Sequence, residues 1–387
     1  MILKKTEAEP VSVYFKEYST ENVKGSNYMK KKVMLGMSGG VDSSVAALLL
    51  KNAGYDVTGV TLRLRPDRYM EQCVSGGCCS IDDIDDARRV AYKIGIEHLV
   101  FNFTDIFEET VIDYFVKEYE QGRTPNPCIA CNRHVKFNAM MKRAIELGFD
   151  YVATGHYACI EQNELGRWLL KKAPAAKDQS YVLYSLTQFQ LEHTLLPLAS
   201  YTKPQIRAIA QEAGLIVANK PDSQEICFVP DKDYAGFIER YTGKKAEPGQ
   251  FVDENGTVLG THKGIAHYTI GQRKGLGISF GEPMFVTKIN AEQNQIVLGK
   301  AGSQYAKQLV AGDINWISIE RLTEPLKATA KTRYQAPPAP AVLLPMENGL
   351  VQVMFDEPQR SITPGQAVVF YDGDTVIGGG TILNNNA

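Results

Sequence analysis

The sequence lacks several features that would each indicate a particular class of protein. No apolar run among its 387 residues approaches the roughly 20 residues that cross a bilayer. Residues 1–28 have no apolar core and carry several acidic side chains, which argues against a secretion signal or a transit peptide. No internal repeat is visible, and the formal net charge is only −2. Any contact with nucleic acid must therefore depend on a local basic face rather than on the field of the whole protein.

The composition is that of a globular protein, with 44% hydrophobic and 22% charged residues. Seven cysteines, an odd number in a long chain without a signal, favour a reducing cytoplasmic location and reactive or metal-bound thiols. The length predicts two or three domains. We predict a disordered extension over 1–32, a catalytic domain over 33–229, a small central domain over 230–290 and a C-terminal β-barrel over 291–387.

Strand-like and helix-like segments alternate from Val33 to about Ser200. The strand candidates are 33–37, 56–64, 98–101 and 151–154, and the helix candidates are 45–53, 84–94, 107–121 and 134–147. This alternation predicts an α/β fold with a doubly wound parallel sheet and ligands at the carboxyl ends of its strands. Further on, Lys203 to Ala213 has a helical pattern. Beyond residue 230, Asn255-Gly256 predicts a hairpin, and short β-branched runs from Met284 onward predict an antiparallel barrel or sandwich.

A glycine-rich turn joins the first strand candidate to the first helix candidate. Its residues are Gly36, Met37, Ser38, Gly39, Gly40, Val41, Asp42 and Ser43. Such a turn directs backbone N–H groups into one concavity at the positive end of a helix dipole, where a phosphate binds. No Gly-Lys-Ser/Thr closes it, so it is not a Walker loop. It resembles instead the pyrophosphatase loop of enzymes that split ATP into AMP and pyrophosphate, and Asp42 is a candidate both for a helix cap and for a Mg²⁺ ligand.

Two cysteine-bearing loops form the second and third signals. Thr124-Pro-Asn-Pro-Cys-Ile-Ala-Cys131 precedes a helix that we expect to begin near Arg133, so Cys131 would lie near a helix N-terminus, where the dipole favours a thiolate. Cys227 lies in the polar loop Asp222 to Phe228. An ATP-cleaving loop combined with two loop-borne cysteines suggests sulfur chemistry. For a third thiol-rich segment, with Cys73, Cys78 and Cys79, we expect a structural or incidental role.

These motifs, taken together, resemble those of the tRNA-specific 2-thiouridylases, also called tRNA-uridine 2-sulfurtransferases. Three more motifs add to the resemblance, which runs in family order from about Met29 to the C-terminus: Ala153-Thr-Gly-His-Tyr157, Lys177-Asp-Gln179 and Tyr268-Thr-Ile-Gly-Gln-Arg-Lys-Gly-Leu-Gly277. The resemblance implies sulfuration at the 2-position of the wobble uridine. In the reaction that it implies, ATP would adenylate the 2-carbonyl oxygen and a persulfide sulfur would then displace AMP.

The resemblance also implies roles for individual residues. Cys131 matches the family's nucleophile and Cys227 its persulfide carrier, while Gly36 to Ser43 would hold ATP with Leu62 and Gly155 lining the nucleotide pocket. The positions that match tRNA-contacting residues are Asn126, Pro127, Cys128, His156, Lys177, Asp178, Gln179, Arg333, Tyr334 and Gln366. The implied partners are Mg²⁺, the anticodon region of Lys, Glu and Gln tRNAs, and a sulfur-donor protein such as a cysteine desulfurase or a sulfur relay carrier.

One departure from the family pattern opens alternatives. Many members have Asp where this chain has Cys128, so Cys128, Cys131 and Cys227 are candidates to hold an iron–sulfur cluster, or zinc with His134 as a fourth ligand. Two other hypotheses remain at this point. One is another pyrophosphatase-loop ligase, of the amidotransferase or argininosuccinate type, and the other is a non-catalytic RNA-binding or sulfur-carrier protein. For the RNA backbone we expect a basic face that includes Arg273, Lys274, Lys331 and Arg333.

Overall fold

The computed structural model describes residues 30–65, 81–174, 177–222, 226–279 and 281–384. The expected disordered extension lies almost wholly outside these residues, as do Cys73, Cys78 and Cys79. In the described part of the chain, no helix has the length and apolar composition needed to cross a membrane.

The strands are, in chain order, β1 (Lys32–Gly36), β2 (Asp56–Arg63), β3 (Glu97–Asn102), β4 (Tyr151–Ala153), β5 (Ala158–Gln162), β6 (Trp168–Lys172), β7 (Thr194–Leu195), β8 (Gly249–Val252), β9 (Val258–His262), β10 (Met284–Asn290), β11 (Gln295–Lys300), β12 (Tyr305–Trp316), β13 (Leu326–Lys331), β14 (Ala339–Pro345), β15 (Val351–Arg360), β16 (Ala367–Asp372) and β17 (Thr375–Asn384). The α-helices are α1 (Val41–Asn52), α2 (Ile81–Ile94), α3 (Thr104–Phe107), α4 (Asp113–Glu120), α5 (Pro127–Ala130), α6 (Met140–Glu146), α7 (Gln188–Glu192), α8 (Lys203–Glu212) and α9 (Tyr234–Thr242). π-Helical turns over Glu108–Ile112 and Cys131–Ala139 join α3 to α4 and α5 to α6.

The first domain is built on a parallel sheet with the strand order β3-β2-β1-β4-β7. Its central strand is buried on both faces, since Val33 and Leu35 pack in one apolar cluster and Met34 in another. Successive side chains of a strand point to opposite faces. Helices α1, α2 and α8 cover the Val33 face, and α4 and α6 cover the Met34 face. This arrangement confirms the predicted doubly wound α/β fold.

A small sheet with the order β10-β11-β8-β9 forms the central part of the chain. The predicted hairpin is present between β8 and β9, and Gly256 in its turn has φ +85°, a value that favours glycine. The predicted boundary at residue 290 is wrong, because it would separate β10 from β11. These strands pair antiparallel, and Ile296 and Leu298 of β11 share an apolar cluster with Val286 of β10.

The C-terminal part is a closed antiparallel barrel, as predicted. Its strands follow the order β12-β15-β14-β13-β16-β17, and β17 pairs back with β12. Closure leaves these strands without a free edge. The hairpin β5–β6 extends the barrel sheet through the pairing of Thr375 with Lys171. A hairpin encoded within the first domain therefore attaches that domain to the barrel.

Candidate active site

The glycine-rich loop lies at the carboxyl end of β1, where the chain's crossovers change direction between β1 and β4. In open parallel sheets, ligands bind at such a point. The Ser43 hydroxyl accepts a hydrogen bond from the Ser38 N–H at 3.2 Å and donates one to the Gly40 carbonyl. Gly40 is the N-cap of α1 and supplies no side-chain cap, so the positive end of this helix is available to an anion. We call this segment, residues 36–43, the anion loop.

Close backbone packing fixes the anion loop on two sides. Gly39 has φ +69°, and a Cβ there would lie 2.4 Å from the Asp83 carbonyl oxygen in α2. A Cβ on Gly155, after β4, would lie 2.9 Å from the Ser43 nitrogen and 3.0 Å from the Asp42 carbonyl carbon. The loops after β1 and β4 therefore meet in one crevice, as the alternation of strands and helices predicted.

The imidazole of His156 lies in the same crevice, half-buried next to Gly155. Its Nδ1 is 2.7 Å from the Thr154 hydroxyl. Burial, together with the positive charges of Lys136 and Lys177, holds the pKa of His156 well below its ordinary value. The ring is therefore neutral at pH 7.

An ion-pair network connects the anion loop to α8 and to the loop that carries Cys227. The Lys203 ammonium lies 2.7 Å from Asp42 and 2.6 Å from Asp222. Lys177 bridges the same two carboxylates at 3.2 and 3.1 Å. The Tyr157 hydroxyl also donates to Asp42, at 2.6 Å. Burial alone would raise the pKa of Asp222, but hydrogen bonds from Lys203 and Lys177 outweigh it and hold that pKa below the ordinary value.

Asp42 therefore has a role that the sequence did not indicate. It is not the cap of α1, because the N-cap is Gly40. Both of its carboxylate oxygens hold donors, Tyr157 and Lys203 on one and Lys177 on the other, so the side chain is not arranged as a Mg²⁺ ligand.

The helix that carries Cys131 begins earlier in the sequence than predicted. Asn126 is the N-cap, and its side-chain oxygen accepts hydrogen bonds from the N–H groups of Cys128 and Ile129. Pro127 occupies the first helical position, which suits a residue without an N–H. The helix thus begins at Pro127 and not near Arg133. Cys128 lies in the first turn of this helix and is exposed, whereas Cys131 follows that turn and is buried.

The C-terminal barrel holds this loop in place. The Gln366 amide donates hydrogen bonds to the carbonyls of Thr124 at 2.9 Å and Pro125 at 3.2 Å. The Thr124 N–H in turn donates to the Pro364 carbonyl at 2.9 Å. Further along the helix, the Arg133 guanidinium pairs with Asp313 of β12. The segment that carries Cys131 is therefore attached to the barrel at both ends.

Cys131 and Cys227 pack in one apolar cluster on the Met34 face of the parallel sheet. Cys131 is buried and Cys227 is half-buried. Phe228 anchors the second cysteine, since its ring lies 5.2 Å from that of Phe115 and 5.9 Å from that of Phe107. Leu62, near the end of β2, belongs to the same cluster. The two thiols that the sequence singled out, separated widely along the chain, are thus brought into one region.

Family models of known proteins match all three parts of this architecture. Residues 31–231 match the tRNA methyl transferase HUP domain, residues 235–300 the tRNA methyl transferase PRC-barrel domain and residues 306–382 the aminomethyltransferase β-barrel domain. The tRNA-specific 2-thiouridylase MnmA of Acetivibrio thermocellus is 58% identical over 356 residues, which cover 91% of this chain and 99% of that protein. The protein of the same name from Clostridioides difficile is 58% identical over 357 residues, covering 92% and 99%. The chain belongs to the tRNA-specific 2-thiouridylase family. The predicted membership is thereby confirmed.

Several residues that the thiouridylase resemblance assigned to tRNA contacts make internal bonds here. Asp178 accepts hydrogen bonds from the N–H of Ala173 and from both the N–H and the hydroxyl of Ser180. Gln179 accepts one from the N–H of Tyr157. These two side chains therefore shape the loop beside the anion loop.

A basic cleft lies between the first domain and the barrel, and Lys177 and Tyr334 of that set line it. A cleft of about 530 Å³ is lined by Lys177, Asp178, Thr202, Lys203, Pro204, Lys331, Tyr334 and Gln335. The Tyr334 hydroxyl donates to the Asp178 carbonyl at 3.1 Å, and Lys331 lies 5.8 Å from the centre of the Tyr334 ring. Arg333 is nearby and donates to the Arg360 carbonyl. A cleft with lysines and an exposed tyrosine suits phosphate and base contacts.

The iron–sulfur and zinc alternatives both need three or four ligands close together. Within the described ranges, no group of three or more His, Cys, Asp or Glu side chains is arranged to hold a metal ion. Cys128 is exposed and Cys131 is buried. We derive no step through a cluster.

The sequence interpretation missed four members of the ion-pair network as functional residues: Tyr157, Lys203, Arg207 and the carboxylate of Asp222. Each had been noticed only as part of a motif, a helix or a loop. A lysine and an arginine four residues apart at the start of a helix look like an ordinary solvated face.

Proposed function

We propose that this chain catalyses the ATP-dependent 2-thiolation of the wobble uridine of tRNA, with Cys227 as the persulfide carrier and Cys131 as the nucleophile. One observation carries the proposal: the two thiols share an apolar cluster, while Lys203 links Asp222, at the start of the Cys227 loop, to Asp42 of the anion loop. Adenylate chemistry and sulfur chemistry would thus occur in neighbouring parts of one crevice.

The first step is activation of the base. The uridine must leave the anticodon stack, which is easier for a loop nucleotide than for a paired one. Its 2-carbonyl oxygen attacks the α-phosphorus of ATP, a P–O bond breaks, and pyrophosphate leaves. The anion loop binds the phosphates through the start of α1, and the cations Lys177 and Lys203 offset their charge. Mg²⁺ enters with the nucleotide.

The second step replaces the adenylated oxygen by sulfur. The terminal sulfur of a Cys227 persulfide attacks C2 of the base and forms a C–S bond. The Cys131 thiolate then attacks the inner sulfur of the persulfide, and a Cys131–Cys227 disulfide forms as the S–S bond to the transferred sulfur breaks. The electron pair returned to that sulfur expels AMP and leaves a C=S group. A dithiol reductant must supply two electrons to restore both thiols.

The implied partners follow from this chemistry. Cys227 is half-buried rather than enclosed, so a sulfur-donor protein, such as a cysteine desulfurase or a relay carrier, would load it by exchange. The basic cleft near Lys331 and Tyr334 would bind the backbone of the anticodon arm, and the family resemblance points to Lys, Glu and Gln tRNAs.

Mass analysis of tRNA after incubation with ATP, Mg²⁺ and a persulfide donor, a cysteine desulfurase with its cysteine substrate, tests the proposal, because persulfide sulfur loads Cys227 by exchange without an added oxidant. We expect a gain equal to replacing one oxygen by sulfur at the wobble uridine, lost in C131S and C227S. The matched control is C159S, because Cys159 is also half-buried but lies in β5, and burial raises its pKa to about 11. Retained turnover in both C131S and C227S would favour a pyrophosphatase-loop ligase, and pyrophosphate release that does not depend on tRNA would contradict base activation.

A further inference from the structure

One face of α8 holds the chain segment that leads to Cys227. Lys203 and Arg207 are four residues apart and therefore lie on the same side of the helix. Arg207 donates to the carbonyls of Ala218 at 2.7 Å and Lys220 at 3.0 Å, and to Asp222 at 3.3 Å. Lys203 also donates to the Asp222 carboxylate, and it donates to Asp42 as well. The same helix face thus touches both the anion loop and the Cys227 loop.

Cys227 lies in sequence between two anchored residues, Asp222 and Phe228; residues 223–225 are outside the described part of the chain. On one side the Asp222 carboxylate is held by three cations, Lys177, Lys203 and Arg207. On the other side the Phe228 ring is packed against the aromatic rings of α3 and α4. A half-buried Lys203, 19% exposed at its side chain, is a more rigid anchor than a surface lysine would be.

We propose that Lys203 and Asp222 are positioning residues for Cys227, which set the place of its thiol relative to the anion loop. The inference rests on the proposed function in so far as the thiol must reach a base activated at that loop. Sulfur transfer requires reacting atoms at about 3–3.5 Å, and a misplacement of about 1 Å from a remote change can cost roughly a hundredfold in rate. Neither residue needs to touch the base.

The charges distinguish this role from direct phosphate binding. Three cations, Lys177, Lys203 and Arg207, face two carboxylates, Asp42 and Asp222, in this network. Asp222→Asn removes a negative charge near the phosphate site and leaves every cation in place. It should therefore not weaken ATP binding, although it releases the Cys227 loop from Lys203.

Thiol labelling tests the positioning role without tRNA or sulfur. Iodoacetamide modification of Cys227 is followed by peptide mass spectrometry in the full chain, with exposed Cys128 as the internal reference. We expect labelling of Cys227 relative to Cys128 to rise roughly tenfold in K203Q and D222N, since a charge-assisted hydrogen bond changes a local equilibrium by about that factor. K203R should behave like the wild type.

Lys220→Gln is the matched control, because Lys220 pairs with Asp83 at 2.8 Å and Asp86 at 2.6 Å but not with Asp42 or Asp222. Equal labelling of Cys227 in K203Q, D222N and K220Q would overturn the inference. In single-turnover thiolation, D222N should lower the transfer rate at saturating ATP while its ATP affinity is kept. Equal losses of both would indicate a merely structural role. A wild-type chain that thiolates no tRNA would refute the proposed function, while the labelling comparison still decides this inference.

Discussion

Gln366 offers the sharpest test of how the barrel acts on the site. Its amide donates to the carbonyls of Thr124 and Pro125, directly before the segment that carries Cys131. Gln366→Leu keeps the size of the side chain and removes both donors. The remaining backbone contact is the hydrogen bond from the Thr124 N–H to the Pro364 carbonyl. We therefore expect this variant to loosen the cysteine loop without unfolding the barrel.

The magnitude follows from the number of bonds lost. A neutral hydrogen bond contributes about 0.5–1.5 kcal/mol net. The two bonds of Gln366 therefore stabilise the observed position of the cysteine loop by about 1–3 kcal/mol. This corresponds to a shift of roughly five- to 150-fold in the population of that position. At saturating tRNA and ATP, the single-turnover rate of thiolation should fall by a factor in this range. ATP affinity should not change, because the anion loop has no contact with Gln366 among those described.

Rapid-quench measurement of thiolated tRNA, with separate measurement of tRNA affinity, separates two roles for Gln366. Gln366→Glu should be at least as slow as the Leu variant, because a carboxylate would face two carbonyl oxygens. Gln359→Leu is the control, since Gln359 donates only to the Glu357 carbonyl at an exposed position. If Gln366→Leu weakens tRNA binding but transfers sulfur normally once tRNA saturates, the residue is a tRNA contact, as the family resemblance implied, and the reasoning from loop position is refuted.

Two further predictions concern the crevice between β1 and β4. Gly155→Ala should weaken ATP binding by roughly five- to 150-fold. The added Cβ would lie 2.9 Å from the Ser43 nitrogen of the anion loop, and overpacking against a backbone costs about 1–3 kcal/mol. Wild-type ATP affinity in calorimetric titration would contradict this prediction. His156 is neutral when folded and binds a proton on unfolding below a pKa of about 6.5, so stability should be greatest above that pH and fall as pH decreases toward 5. The stability of the His156→Gln variant should fall less steeply with decreasing pH, with a slope smaller by up to about 1.4 kcal/mol per pH unit. If thermal unfolding of the variant and the wild type shows the same dependence on pH, this effect is excluded.

The α/β domain could be predicted because its signals are local. Val33, Met34 and Leu35 form an uninterrupted apolar run, typical of a strand buried on both faces, and the glycine-rich turn follows directly. The capping box at Thr202 and Gln205 likewise marks the start of α8 within a few residues. In each case the residues that determine the element are neighbours in sequence.

Two errors show where local patterns were given the wrong weight. Asn126-Pro127 is a helix-start signal in its own right, yet two prolines in four residues favoured a loop that continued to Arg133. The boundary at residue 290 followed the appearance of short β-branched runs, which are the same in the central sheet and in the barrel. Only the pairing of β10 with β11 separates them. Pairing partners cannot be deduced from strand composition alone.

The ion-pair network lies beyond this kind of reasoning for a physical reason. Lys203 and Asp42 are 161 positions apart, and their contact exists only because α8 packs on the same face of the sheet as α1. Before folding, each residue is an ordinary solvated charge. After folding, Lys203 holds carboxylates from two different loops, at a cost in desolvation that a surface ion pair would not incur. A protein that needed only stability could replace such a cluster by apolar side chains. The position of these charges, next to an anion loop and a loop-borne thiol, is the physical argument for the positioning role proposed for Lys203 and Asp222.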